Sequence, residues 1–221
     1  MYDLVRGPLL WVSFIVFVLG TVFQIIKFMK LSKKIDVPKF IPASRSKPIA
    51  TSPGFMLKFE MFKAAGIGTN LLMAVVTTVF HVCLFAIPIF LVGHSVLFDQ
   101  SWGINMMPFL FSENTTDTLT IIFLACSLYF LLRRLLSARV RAITTSYDYV
   151  VLLIAAAPFL TGFFAYHQIF NYNTIIILHI LFGELMLVTI PFTKLVHMVF
   201  FFINRFFVAS ENCLGEGNRT W

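Results

Sequence analysis

Residues Ile177–Met198 read ILHILFGELMLVTIPFTKLVHM. The stretch is almost wholly apolar, yet it carries His179 near one end and His197 near the other. On one continuous helix, a separation of 18 residues at about 100° each is about five full turns, so both imidazoles project from one face. They lie about 27 Å apart along the axis, close to the ~30 Å thickness of a bilayer's hydrocarbon core. A membrane helix with one histidine near each face, both on one stripe, points to two stacked metal or cofactor sites.

The composition agrees with a membrane setting. Of 221 residues, 59% are hydrophobic and only 12% charged, where a soluble domain averages about 25% charged. The mean hydropathy of +0.88 says the same. A net charge of +7 would raise nucleic acid as a partner in a soluble protein. Here the clustering of positive charge reads as membrane topology instead, and nucleic acid is excluded. Cys83, Cys126 and Cys213 are widely spaced with no CxxC, which argues against a disulfide framework, an iron–sulfur centre or a zinc finger.

Taken in order, residues 9–26 are uncharged and just long enough to span; with no basic leader, they read as a retained helix. A basic loop follows over residues 27–63, holding nine of the 17 Lys and Arg residues together with Pro38, Pro42, Pro48 and Pro53. The remaining spans are expected at about 68–98, 118–136, 149–166 and 174–203. Arg133 and Arg134 close the third span, and Arg139 and Arg141 complete a second basic loop. The expected fold is all-α, a single polytopic domain over 1–221 that bundles five transmembrane helices. Both basic loops fall on the side of the C-terminus. The positive-inside rule therefore puts the N-terminus outside and the C-terminus in the cytoplasm.

With that topology, His81 and His197 share the cytoplasmic level, and His94 and His179 share the outer level. Two imidazoles facing one another at one depth are what bis-histidine ligation of haem b requires, so the four residues are the candidate axial ligands of two stacked b haems. Gly183, one turn from His179, and Gly93, beside His94, would let a flat macrocycle approach the backbone. Zinc fits less well, because its four-coordinate shell would need Cys or carboxylate partners at these levels. One spacing conflicts: His81 and His94, 13 residues apart, point about 140° apart on an ideal helix. Pro88 between them can supply a kink or π-bulge. His167, at the outer end of the fourth span, is the alternative distal ligand to His94.

Phe80-His81 with Val92-Gly93-His94, the run RRLLSARVRAITTSYDYVVLL from Arg133 to Leu153, and LHILFGELMLVTIPFTKLVHM with its His179–His197 spacing together resemble the family of the respiratory nitrate reductase gamma subunit. That family consists of five-helix dihaem membrane cytochromes b. The resemblance covers the second to fifth spans, while the first helix and basic loop match poorly. It implies transmembrane electron transfer between a quinone or menaquinone at one face and a cytoplasmic iron–sulfur subunit at the other. Catalysis by this chain would extend at most to the quinone half-reaction. It also implies haem pairs His94/His179 and His81/His197. Arg133, Arg134, Arg139 and Arg141 match the family's basic loop; they read either as contacts to haem propionates or the partner subunit, or as a plain positive-inside anchor.

The loop after the second span is acidic and lacks the lysine of nitrate-reducing members. That departure favours a relative in anaerobic respiratory complexes of the kind found in sulfate-reducing bacteria. Similar cytochromes there pair with heterodisulfide-reductase-like iron–sulfur proteins and periplasmic multihaem cytochromes c. A true nitrate reductase gamma subunit, with a nitrate-reductase-beta-like partner, is the close alternative. The bacterial or archaeal cytoplasmic membrane is the expected location, with lipids around every span. Glu184, the one carboxylate within a span, reads either as a proton relay to a quinone or as a hydrogen-bonding group facing a neighbouring helix. A haem-free anchor or small transporter is the reading from a different class.

Overall fold

The computed structural model describes residues 2–31, 70–103 and 109–203. Helix α1 covers Tyr2–Leu31. Helices α2 (Leu71–Phe90), α3 (Val92–Trp102), α4 (Glu113–Leu136), α5 (Ala138–Arg141), α6 (Ser146–Tyr166) and α7 (Tyr172–Thr189) follow. Two single turns, Ile190–Phe192 and Lys194–Val196, lead into a last apolar helical segment that ends at Ile203. No strand occurs among the described residues. Five helices are long and apolar enough to cross a membrane, so the chain is a multi-pass membrane protein.

Side-chain caps fix where the spans begin. Asn70 accepts from the Met73 amide, Ser112 from Thr115 and Asn171 from Thr174, each satisfying an orphan donor of the first turn. The Asp148 carboxylate accepts from both the amide and hydroxyl of Thr145, closing the first turn of α6. These caps place the α4 and α6 starts earlier than the apolar runs alone predict, at Glu113 rather than 118 and Ser146 rather than 149. Helix α1 likewise extends past 9–26 in both directions and takes in Lys27 and Lys30 of the expected basic loop. The rest of that loop lies outside the described residues.

Two expectations are corrected. The second span is not one helix over 68–98: Leu91 is extended (φ −73°, ψ 130°) and divides α2 from α3. The fifth is not one helix over 174–203: α7 stops at Thr189, and Thr193 (φ −121°, ψ −175°) is extended between the two short turns. Each interruption lies near a proline, Pro88 and Pro191, whose missing N–H and ring clash weaken the helical ladder.

The helices pack in the order α2, α4, α6, α7, α1. A buried aromatic core holds α2, α4 and α6 together. Phe80 stacks on the fully buried Phe123 at 4.7 Å, and Phe123 meets Phe159 at 4.0 Å between ring centres. On the other side, α1 seats against the interruption after α7. A side chain at Gly20 would meet Pro191 at 2.7 Å, and the Gln24 amide donates to the Pro191 carbonyl at 2.7 Å. No extended interface joins α2 to α7. The candidate ligands of α2, α3, α7 and the segment after it approach one another there. Large apolar side chains such as Leu19, Phe23, Val82 and Leu153 point outward, as a lipid-facing surface requires.

Candidate functional site

Four histidines meet there in two pairs. His81 of α2 faces His197 with ring centres 5.9 Å apart and planes at 88°. His94 of α3 faces His179 of α7 at 5.9 Å with planes at 17°. Metal–imidazole nitrogen bonds are about 2.0 Å, so ring centres 5.9 Å apart would leave room for one ion between the rings of each pair.

The hydrogen bonds set the tautomer. Nδ1 of His81 donates to the Thr77 carbonyl at 2.7 Å, and Nδ1 of His94 to Pro88 at 3.0 Å. Nδ1 of His179 donates to Pro158 at 2.8 Å, and Nδ1 of His197 to Lys194 at 2.7 Å. A carbonyl only accepts, so in every case Nδ1 carries the proton and a neutral ring keeps its lone pair on Nε2. Backbone carbonyls holding the outer ring nitrogen are the usual support of a metal-bound histidine.

The interruption at Leu91 resolves the conflict between His81 and His94. In an unbroken helix the Pro88 carbonyl would accept the amide of residue 92. With Leu91 extended, that carbonyl is free and takes the His94 imidazole, six residues ahead instead of the helical four. The break therefore turns His94 towards α7. A Cβ built on Gly93 or Gly183 would meet nothing within 4 Å.

Gly162 on α6 was not singled out by the sequence. A Cβ there would stand 3.0 Å from Cε1 and 3.2 Å from Nδ1 of His179, so the missing side chain lets the Nδ1 edge of the ring come close to α6 and reach Pro158. The contact crosses between helices, and no spacing along the chain signals it.

Among the described residues, no group of three or more His, Cys, Asp or Glu side chains could hold a metal ion. A closed four-ligand zinc shell is therefore not formed by them. Each imidazole pair alone would supply only two ligands, so any ion held there would take its remaining ligands from a bound group.

The remaining candidates fall elsewhere. His167 does not join the pairs; its Nε2 lies 2.9 Å from Oδ1 of Asp117, linking the ends of α6 and α4. Arg134 donates to the Asp148 carbonyl at 2.6 Å and Arg141 to Leu135 at 3.2 Å, while Arg133 and Arg139 make no hydrogen bond or ion pair among the described residues. Glu184 is buried, and neither carboxyl oxygen has a partner among the described residues. The hydrogen bond to a neighbouring helix expected for it is not formed among the described residues.

The geometry thus defines a five-span membrane protein with two facing imidazole pairs. A protein of Nitratidesulfovibrio vulgaris strain Hildenborough, described simply as "Protein", is 31% identical over 224 residues, covering 100% of this chain and 97% of that one. The chain belongs to the same family as that protein. No protein-family model and no solved structure matches it.

Proposed function

We propose that this chain is the dihaem cytochrome b subunit of a respiratory complex and conducts electrons across the membrane. The observation that carries the reading is the pair of matched sites: two imidazole pairs, both at 5.9 Å, every Nδ1 committed to a carbonyl, and no extended interface joining α2 to α7. Two b haems, when bound, would supply one-electron carriers at two depths.

The chain's own contribution is positional. His81 and His197 present Nε2 at one level, and His94 and His179 at the other. The carbonyls of Thr77, Lys194, Pro88 and Pro158 hold the four rings and raise their basicity as ligands. The apolar helices around the four rings give the low-polarity surroundings that a haem takes. The clustered Arg133, Arg134, Arg139 and Arg141 support a cytoplasmic placement of the His81/His197 level by the positive-inside rule, with the N-terminus outside. In this reading a quinone or a periplasmic multihaem cytochrome c exchanges electrons at the His94/His179 face. A cytoplasmic iron–sulfur subunit, of the heterodisulfide-reductase or nitrate-reductase-beta kind, exchanges them at the other. Arg133, Arg134, Arg139 and Arg141 are the side chains that would meet it.

Single substitutions test the pairing. His94→Ala and His179→Ala should each remove the same one of two spectroscopic components, and the double variant should remove no more. His81→Ala and His197→Ala should do so for the other. Loss of haem that does not follow these pairs refutes the ligand assignment, and no haem in any variant or in the wild type supports the haem-free anchor.

A further inference from the structure

His197 differs from the other three candidate ligands in its backbone support. It sits just past an irregular stretch, Ile190–Val196, where the regular ladder of α7 has ended. Its imidazole is held by the carbonyl of Lys194 at 2.7 Å, so the ring goes where Lys194 goes. Lys194 is in turn gripped from α6. Its Nζ reaches Oδ1 of Asp148 at 2.6 Å, its backbone amide donates to the Tyr147 hydroxyl at 3.3 Å, and its ammonium lies 5.4 Å from the centre of the Tyr147 ring. Asp148 is itself fixed: its other oxygen accepts two bonds from Thr145, and its carbonyl accepts from Arg134 at the end of α4.

We propose that Tyr147 and Asp148 are positioning residues for the His197 ligand, acting through the side chain and backbone of Lys194. The inference rests on the cytochrome reading above. An isolated ion pair at an exposed site contributes little to stability. This one closes a specific chain of contacts, from the first turn of α6 through Lys194 to one imidazole, and what it sets is an orientation.

That orientation has a direct readout. The π orbital of an axial imidazole interacts with the iron d orbital lying perpendicular to the ring plane. Parallel rings act on the same d orbital and separate it from its partner; perpendicular rings act on both equally and leave them nearly degenerate. The 17° pair should therefore give an ordinary rhombic low-spin ferric signal, and the 88° pair a highly anisotropic one. Releasing Lys194 frees the His197 ring to turn, which alters the second signal alone.

The experiment is electron paramagnetic resonance with redox titration on the purified full chain, wild type against Lys194→Met, Lys194→Arg and the milder Tyr147→Phe. His197→Ala identifies the component that belongs to this pair. The expected result is that Lys194→Met shifts the highly anisotropic signal towards the rhombic form and moves the midpoint potential of that component. The other component should stay in place. Tyr147→Phe should move both readouts in the same direction by less, and Lys194→Arg should restore the wild-type signal. Two unchanged signals in haem-replete Lys194→Met and Tyr147→Phe would overturn the clamp and leave the cytochrome reading standing. Equal changes in both components would also overturn it, by showing general loosening. A wild type without haem would sink both.

Discussion

Gly162→Ala is the smallest change that tests how the His94/His179 site is built. The added methyl would lie 3.0 Å from Cε1 and 3.2 Å from Nδ1 of His179, where ordinary contact is about 3.5–4.0 Å. The ring must retreat from α6 by about 0.5 Å, judged from that contact distance. Its acceptor, the Pro158 carbonyl, stays behind on α6, so the 2.8 Å hydrogen bond stretches to about 3.3 Å and weakens to the long end of the range. Such a bond contributes about 1 kcal/mol net, and loss of this kind of support typically weakens a metal ligand 10- to 100-fold, or about 1.4–2.7 kcal/mol. Alanine favours a helix interior over glycine by about 1 kcal/mol, so α6 itself should not suffer. The assay is haem content by pyridine haemochrome with electron paramagnetic resonance of the purified variant, and circular dichroism as the folding control. The expected variant is fully helical, with the rhombic component depleted or shifted and the anisotropic one intact. A Gly162→Ala protein with wild-type haem content, spectrum and potentials would refute the claim that close packing on α6 orients His179.

Two further outcomes follow from residues outside the pairs. His167→Ala should keep both haems and both signals, and lower the melting temperature by a few degrees at most, because the bond it loses to Asp117 is partly exposed; loss of a haem would return His167 to the ligand set. Glu184→Leu should leave haem content unchanged and stability equal or higher, because an unpartnered buried carboxyl contributes no bond to lose. If the carboxyl relays protons, reduction of the haems by quinol should slow while reduction by dithionite does not, and a marked fall in melting temperature would show that Glu184 has a partner after all.

The five spans were legible because each is an apolar run of bilayer length, and the depth pairing of the histidines followed from helix rise and loop charge. The helix interruptions were not legible. Besides Pro8 near the start of α1, three prolines lie in or just beyond the described spans, with three outcomes: Pro158 sits inside unbroken α6, Pro88 precedes a break by three residues, and Pro191 lies in the irregular stretch after α7. What separates them is tertiary. The Pro88 carbonyl is taken by His94, the Pro158 carbonyl by His179, and the Pro191 carbonyl by Gln24 of α1, whose Gly20 leaves room for the proline ring. None of these partners lies at a spacing that periodicity encodes. The same holds for Gly162, and for the bridge from Asp148 to Lys194 across 46 residues. Helix boundaries were missed for a simpler reason: Ser112 and Thr145 cap polar first turns that hydropathy reads as loop.

The most direct test of the dihaem assignment is a dithionite-reduced-minus-oxidised spectrum with pyridine haemochrome quantification on the purified, detergent-solubilised full chain. Two b haems per chain are expected, one for each imidazole pair. A helical, monodisperse protein that binds no haem would contradict the assignment.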